Sequence, residues 1–118
     1  MNRKERLPIW RDANRLLLEI ERAVRQFPRY HKYTVGADLR RQSMYVCRML
    51  VRALSAEGQQ RKQQVQQVRL AIDDLKVTIQ LAKELKAFRN FRQFQVISEL
   101  AVGIGKQSGA WHRRFVVP

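Results

Sequence analysis

Pro28-Arg-Tyr-His-Lys-Tyr-Thr-Val-Gly36, running on into Ala37-Asp-Leu-Arg-Arg41, separates two helical patterns. Nowhere else does the chain mix proline, glycine, two tyrosines, a histidine and clustered charge. Pro28 has no N–H and disfavours helical geometry at Phe27, so a helix arriving from the N-terminal side ends there. Thr34 is expected to cap the next helix with its side-chain oxygen. Asp38 falls within that helix's first turn or so, where negative charge suits the dipole. The joint also carries Arg29, Lys32, Arg40 and Arg41. Its bland reading is a solvated helix–helix loop.

Before the joint, Pro8 fits a first helical position, where a missing N–H costs nothing. Trp10, Ala13, Leu17, Ile20, Val24 and Phe27 then recur at steps of three and four, with Leu16 and Ala23 widening the face. Asp12, Arg15, Glu19 and Arg22 lie opposite. After the joint, a second helix is expected from Thr34 to Glu57, with Gly58 as its stop. Leu39, Ser43, Val46, Leu50, Ala53 and Leu54 make its inner face. Arg41, Arg48 and Arg52 form an outer strip, and Met44 and Val51 also turn outward.

The third helix, about Gln60 to Phe88, carries two apolar sides. Val65, Val68, Ile72, Leu75, Ile79 and Ala82 form a core seam. Leu70, Val77 and Leu81 lie nearly opposite it at ~100° per residue. A helix apolar on two sides is buried on two sides, so the second side is expected to be a subunit contact. The bland alternative is three scattered surface apolars. Lys62, Arg69, Lys76 and Lys83 recur every seven residues on the flank of the seam. After Arg89-Asn-Phe-Arg92, a fourth helix steps through Phe94, Ile97, Ala101, Ile104, Ser108, Trp111 and Phe115. Gly103, Gly105 and Gly109 sit inside it at ~1 kcal/mol each relative to Ala. Close approach of a neighbouring helix is the expected reason, and a break in the helix is the alternative. Four helices with short joints imply an all-α, antiparallel up-down-up-down four-helix bundle.

At 118 residues the chain is expected to be one domain, residues 1–118, large enough for its own core. Its charge balance is extreme: 24 Lys and Arg against 10 Asp and Glu give a formal +14. The excess is spread, with 13 basic and 6 acidic groups in residues 1–59 and 11 and 4 in residues 60–118. Such a balance favours a polyanionic partner, nucleic acid before an acidic membrane. The single Cys47 excludes an intrachain disulfide and a cysteine metal cluster. No apolar run approaches the ~20 residues of a membrane span, and no signal-peptide core follows the basic start. A cytoplasmic protein with no membrane partner is expected.

No catalytic constellation is present, so the chain reads as no enzyme and as needing no cofactor or metal. His31 and His112 have no second ligand at metal-binding spacing. Cys47 beside the second helix's buried face reads as a structural thiol, and Asp73-Asp74 as a solvated or salt-bridged pair. What remains is charge on rigid helices. Lys62 to Lys83 span ~30 Å, long enough to track a phosphate backbone. If that row and the Arg41–Arg48–Arg52 strip share a surface, six or seven phosphates are neutralised, with a log–log salt slope of about −4 to −6. Tyr30, Tyr33 and His31 are placed to stack on an unpaired base; otherwise weak sequence specificity is expected for RNA or DNA.

The chain resembles the Avd-like four-helix-bundle proteins, Avd being the accessory variability determinant of diversity-generating retroelements. The resemblance rests on Pro28, Arg29, Tyr33, Thr34 and Gly36 in the first joint, and on Gly105-Lys-Gln-Ser-Gly109-Ala-Trp111, similar to the Gly-xxx-Gly-x-Trp pattern of the family's last helix. It implies a homopentameric barrel that binds nucleic acid through basic surfaces. It also implies a reverse transcriptase partner, with which such proteins support template-primed, error-prone cDNA synthesis without being catalysts. The alternative is a structural protein-interaction module of the kind encoded in ribosomal RNA intervening sequences, without that partner. Leu54-Ser-Ala-Glu-Gly58 partly matches the Asn-Ile-Ala-Glu-Gly ending of their second helix.

Overall fold

The computed structural model describes residues 7–114, with no strand among them. In order these are α1 (Pro8–Arg25), a single turn α2 (Arg29–Lys32), α3 (Val35–Ser55), α4 (Gly58–Glu84) and α5 (Phe91–Arg113). The four long helices form a bundle. α1 packs on α3 and α5, and α4 packs on the same two, which places α1 and α4 on a diagonal. Short connections between neighbouring helices send each one back along the one before. At 27 residues α4 runs ~40 Å, most of the bundle's longest dimension of 47 Å.

The apolar periodicities become the core. Val65, Val68, Ile72, Leu75, Ile79 and Ala82 of α4 are all buried, as are Phe94, Ile97, Ala101, Ile104 and Ser108 of α5. Trp111 packs half-buried against them. Phe115, expected to close that seam, lies outside the described residues. On α3, Leu39, Ser43, Val46, Leu50 and Ala53 point inward as expected, joined by Met49, while Leu54 is half-buried. On α1 the centre of the buried face is Leu16 rather than Leu17, and Trp10 sits at its edge. Fully burying each large aliphatic side chain stabilises the fold by about 1.5–3 kcal/mol. Cys47 is half-buried with Sγ 3.8 Å from the Ala13 carbonyl oxygen. That burial, partly opposed by Arg48, pushes its thiol pKa up, as suits a structural side chain.

The joints differ from the expectations in physical detail. The first is not an open loop: Arg29–Lys32 close a helical turn on the Pro28 carbonyl. Thr34 stands at the start of α3 but does not cap it. Its hydroxyl instead donates to the carbonyls of Tyr30 and His31, finishing the turn behind it. Gly58 is not the stop of α3, which ends at Ser55; it opens α4 with φ +57°. α4 in turn ends at Glu84, short of Phe88. There Lys86 takes φ 59°, and Lys86 and Ala87 donate to the carbonyls of Lys83 and Ala82. This pair of bonds is a Schellman closure with lysine where glycine is usual. α5 starts at Phe91 on a capping pair that the sequence reading overlooked. Asn90 Oδ1 accepts from Gln93 N at 2.9 Å, and Gln93 Oε1 accepts from Arg89 N at 3.1 Å.

The glycines of α5 need a different explanation from the expected one. The helix runs unbroken to Arg113. A Cβ on Gly103 would meet nothing within 4 Å, and one on Gly105 or Gly109 would meet only the ends of Lys76 and Arg113. No neighbouring helix backbone approaches them. The close approach occurs instead at Gly36, where a Cβ would lie 2.9 Å from Val24 Cγ1 and 3.1 Å from the His31 carbonyl oxygen.

Candidate nucleic-acid interface

The α4 row lies on the flank that faces α5, because the seam of α4 points to the centre and its basic residues follow about 90° round the helix. Three residues of the row meet different parts of α5. Arg69 Nη1 is 3.0 Å from His112 Nδ1. Lys76 Nζ lies at the space left by Gly105. Lys83 Nζ stands 5.1 Å over the Phe94 ring, a cation–π arrangement. Lys62, Arg69 and His112 share one electrostatic neighbourhood. The seven-residue step on α4 is thus answered by a seven-residue step from Gly105 to His112 on the antiparallel α5.

Between the two helices runs an open cleft of about 260 Å³, lined by Arg69, Ile72, Asp73, Gly105, Lys106, Ser108, Gly109 and Arg113. Glycine at positions 105 and 109 keeps it open. Four of its lining side chains count as cationic or carboxylate, and only Asp73 is acidic; it pairs with Lys76 at 3.3 Å. Arginine has donors and no acceptor. His112 Nδ1 therefore accepts from Arg69, leaving a neutral ring protonated at Nε2. Partial burial first, and then the charges of Arg69 and Lys62, lower the His112 pKa. Sequence reasoning assigned His112, Lys106 and Arg113 no part here; matching the heptad steps of two antiparallel helices was the available signal.

Arg41, Arg48 and Arg52 do not join this flank. They are exposed on the outer side of α3, opposite Leu39, Val46 and Leu50, and α3 packs on α1 and α4 rather than on α5. Arg41 is held by Asp38. The outward apolar residues split as well. Leu70, Val77 and Leu81 are 49%, 58% and 53% exposed along one side of α4, and Leu85 extends them. Met44 is exposed on α3, but Val51 is half-buried, contrary to its expected outward position. Of the joint motif, Gly36 is buried, Pro28, Arg29, Tyr33 and Thr34 are exposed, and none lies on the α4–α5 flank.

Among the described residues no group of three or more His, Cys, Asp or Glu side chains is placed to hold a metal ion. No described helix is long and apolar enough to cross a membrane. Fold and site together define a basic helical bundle with one cationic flank and one exposed apolar strip. Residues 9–115 match the bAvd-like family, and the chain belongs to it. This is not a known enzyme family. No curated protein matches the chain.

Proposed function

We propose that the protein is a non-enzymatic accessory factor of a diversity-generating retroelement. In this reading it holds RNA or DNA along the α4–α5 flank while a reverse transcriptase partner carries out mutagenic cDNA synthesis, and it acts as a homo-oligomer, a pentamer by family resemblance. The observation that carries the reading is the row Lys62, Arg69, Lys76 and Lys83, in which, among the described residues, only Lys76 is ion-paired. Three uncompensated cations and one partly compensated cation over ~30 Å suit a polyphosphate backbone. Membership of the bAvd-like family supports the biological setting. The exposed strip Leu70, Val77 and Leu81 supports self-association.

The test is fluorescence anisotropy of a labelled structured RNA across a salt series. The parent protein is expected to bind with a log–log salt slope of about −3 to −4, one counterion release per cation of the row. A variant with all four residues changed to Glu keeps its helicity and loses binding. Equal affinity of parent and variant would remove the flank as the site. Capture of the reverse transcriptase by the parent tests the second half of the reading, and a parent that captures none returns the chain to the protein-module alternative.

A further inference from the structure

We propose that the end of the bundle formed by the α1–α3 and α4–α5 connections is a stacking platform for unpaired bases of single-stranded nucleic acid. The fold brings two distant connections to one end. Phe27, just before Pro28, meets Phe88 edge-on at 5.2 Å between ring centroids. Gln93 Nε2 donates to Gln26 Oε1 at 2.7 Å. Phe88 continues to Phe94 at 5.8 Å, and Phe94 to Phe91 at 5.6 Å. A connected aromatic cluster therefore fixes both connections to the core.

Three aromatic side chains at this end remain largely exposed, Phe91 at the edge of that cluster and Tyr30 and Tyr33 outside it. Tyr30, Tyr33 and Phe91 are 82%, 71% and 64% exposed. The cations around them, Arg29 and Lys32 on one connection and Lys86, Arg89 and Arg92 on the other, make no salt bridge among the described residues. Lys86 holds its place at φ 59°, a left-handed conformation that glycine would adopt without strain. Exposed aromatic faces interleaved with unpaired cations are what a single strand requires: any base offers a π-face, and each phosphate needs a counter-charge. A duplex keeps its bases stacked within itself, so it gains only the phosphate contacts. A protein partner could use the same aromatics, but five unpaired cations favour a polyanion.

The inference rests on the nucleic-acid reading but uses different residues: Tyr30 and Tyr33 lie off the α4 row, which reaches this end only at Lys83, over the Phe94 ring. Its test therefore separates the two. Binding is measured for a labelled unstructured RNA of about 12 nucleotides and for a duplex of the same length. Tyr30→Ala with Tyr33→Ala is expected to weaken single-strand binding about ten-fold or more and duplex binding hardly at all. The salt slope stays that of the parent, because stacking releases no counterions. Phe91→Ala adds to the loss; the tyrosine pair alone suffices as a variant because neither ring joins the Phe27–Phe88–Phe94 cluster. Reversal of the α4 row removes binding of the single strand and the duplex alike. A tyrosine variant that binds single strands like the parent, while the row variant fails, overturns the platform and leaves the flank standing. A parent that binds neither strand overturns both. A tyrosine variant that keeps RNA but loses a protein partner assigns this end to protein docking and overturns the platform.

Discussion

Two glycines on two helices illustrate how local space decides a substitution. Gly36 is wedged against Val24 and the His31 carbonyl oxygen, a backbone atom that cannot turn aside. Gly36→Ala gains ~1 kcal/mol of helix propensity but loses more to the clash, for a net destabilisation of about 1–2 kcal/mol. Gly103 faces open space, so Gly103→Ala is expected to stabilise by about 0.5–1 kcal/mol. Urea unfolding of both variants checks this, and shifts of the same sign would contradict it. His112 provides a second local test. Its folded pKa lies below the ordinary value of about 6.5. The unfolded chain therefore takes up a proton first, and stability is lost as pH falls from about 6.5 through the folded pKa. A phosphate bound beside Arg69 reverses the local field and raises that pKa. The ring-proton NMR titration of His112 should move to higher pH when RNA is added, and RNA affinity should rise as pH falls through this window. His112→Gln should remove that rise. An unchanged midpoint would separate His112 from the interface.

The elements were legible where one residue pattern decided them. Steps of three and four on α4 and α5 named most of the buried residues of both helices, missing only Ala71 and Thr78 on α4 among the described residues, because burial on one helix face leaves that mark whatever the partner. Helix ends were less legible, because they depend on backbone bonds that residue type only biases. Thr34 has a capping side chain but turns it backward to Tyr30 and His31. Lys86 adopts a conformation that the sequence would assign to glycine. The basic row was visible as a heptad, but its neighbours were not. That Arg69 reaches His112 and Lys76 reaches the space at Gly105 follows from the antiparallel register of α4 and α5, which core packing sets. For the same reason the Arg41–Arg48–Arg52 strip could not be assigned to the other surface from sequence: a helix wheel gives each strip its angle, and only the packing order gives its neighbours.

The exposed apolar strip and the formal charge of +14 act in opposition when copies of this chain meet. Covering Leu70, Val77, Leu81 and Leu85 favours association at about 25 cal/mol per Å² of apolar surface removed from water. Like net charges oppose it, over a range that salt shortens to about 8–10 Å near physiological ionic strength. Self-association should therefore strengthen as salt rises, while nucleic-acid binding weakens, so the two are separable by the sign of their salt dependence. A polyanion on the basic flank would supply the same screening and promote assembly at low salt. Light scattering across a salt series should show the mean mass increasing with salt, and increasing at low salt when RNA is added. Changing Leu70, Val77 and Leu81 to Asp lowers the formal charge by three, which by itself reduces repulsion. If repulsion alone governed association, that variant would assemble better than the parent. If the apolar strip is the contact, it remains a folded monomer at every salt concentration, since all three side chains are exposed within one copy. A parent protein that stays monomeric throughout would leave the strip without this role.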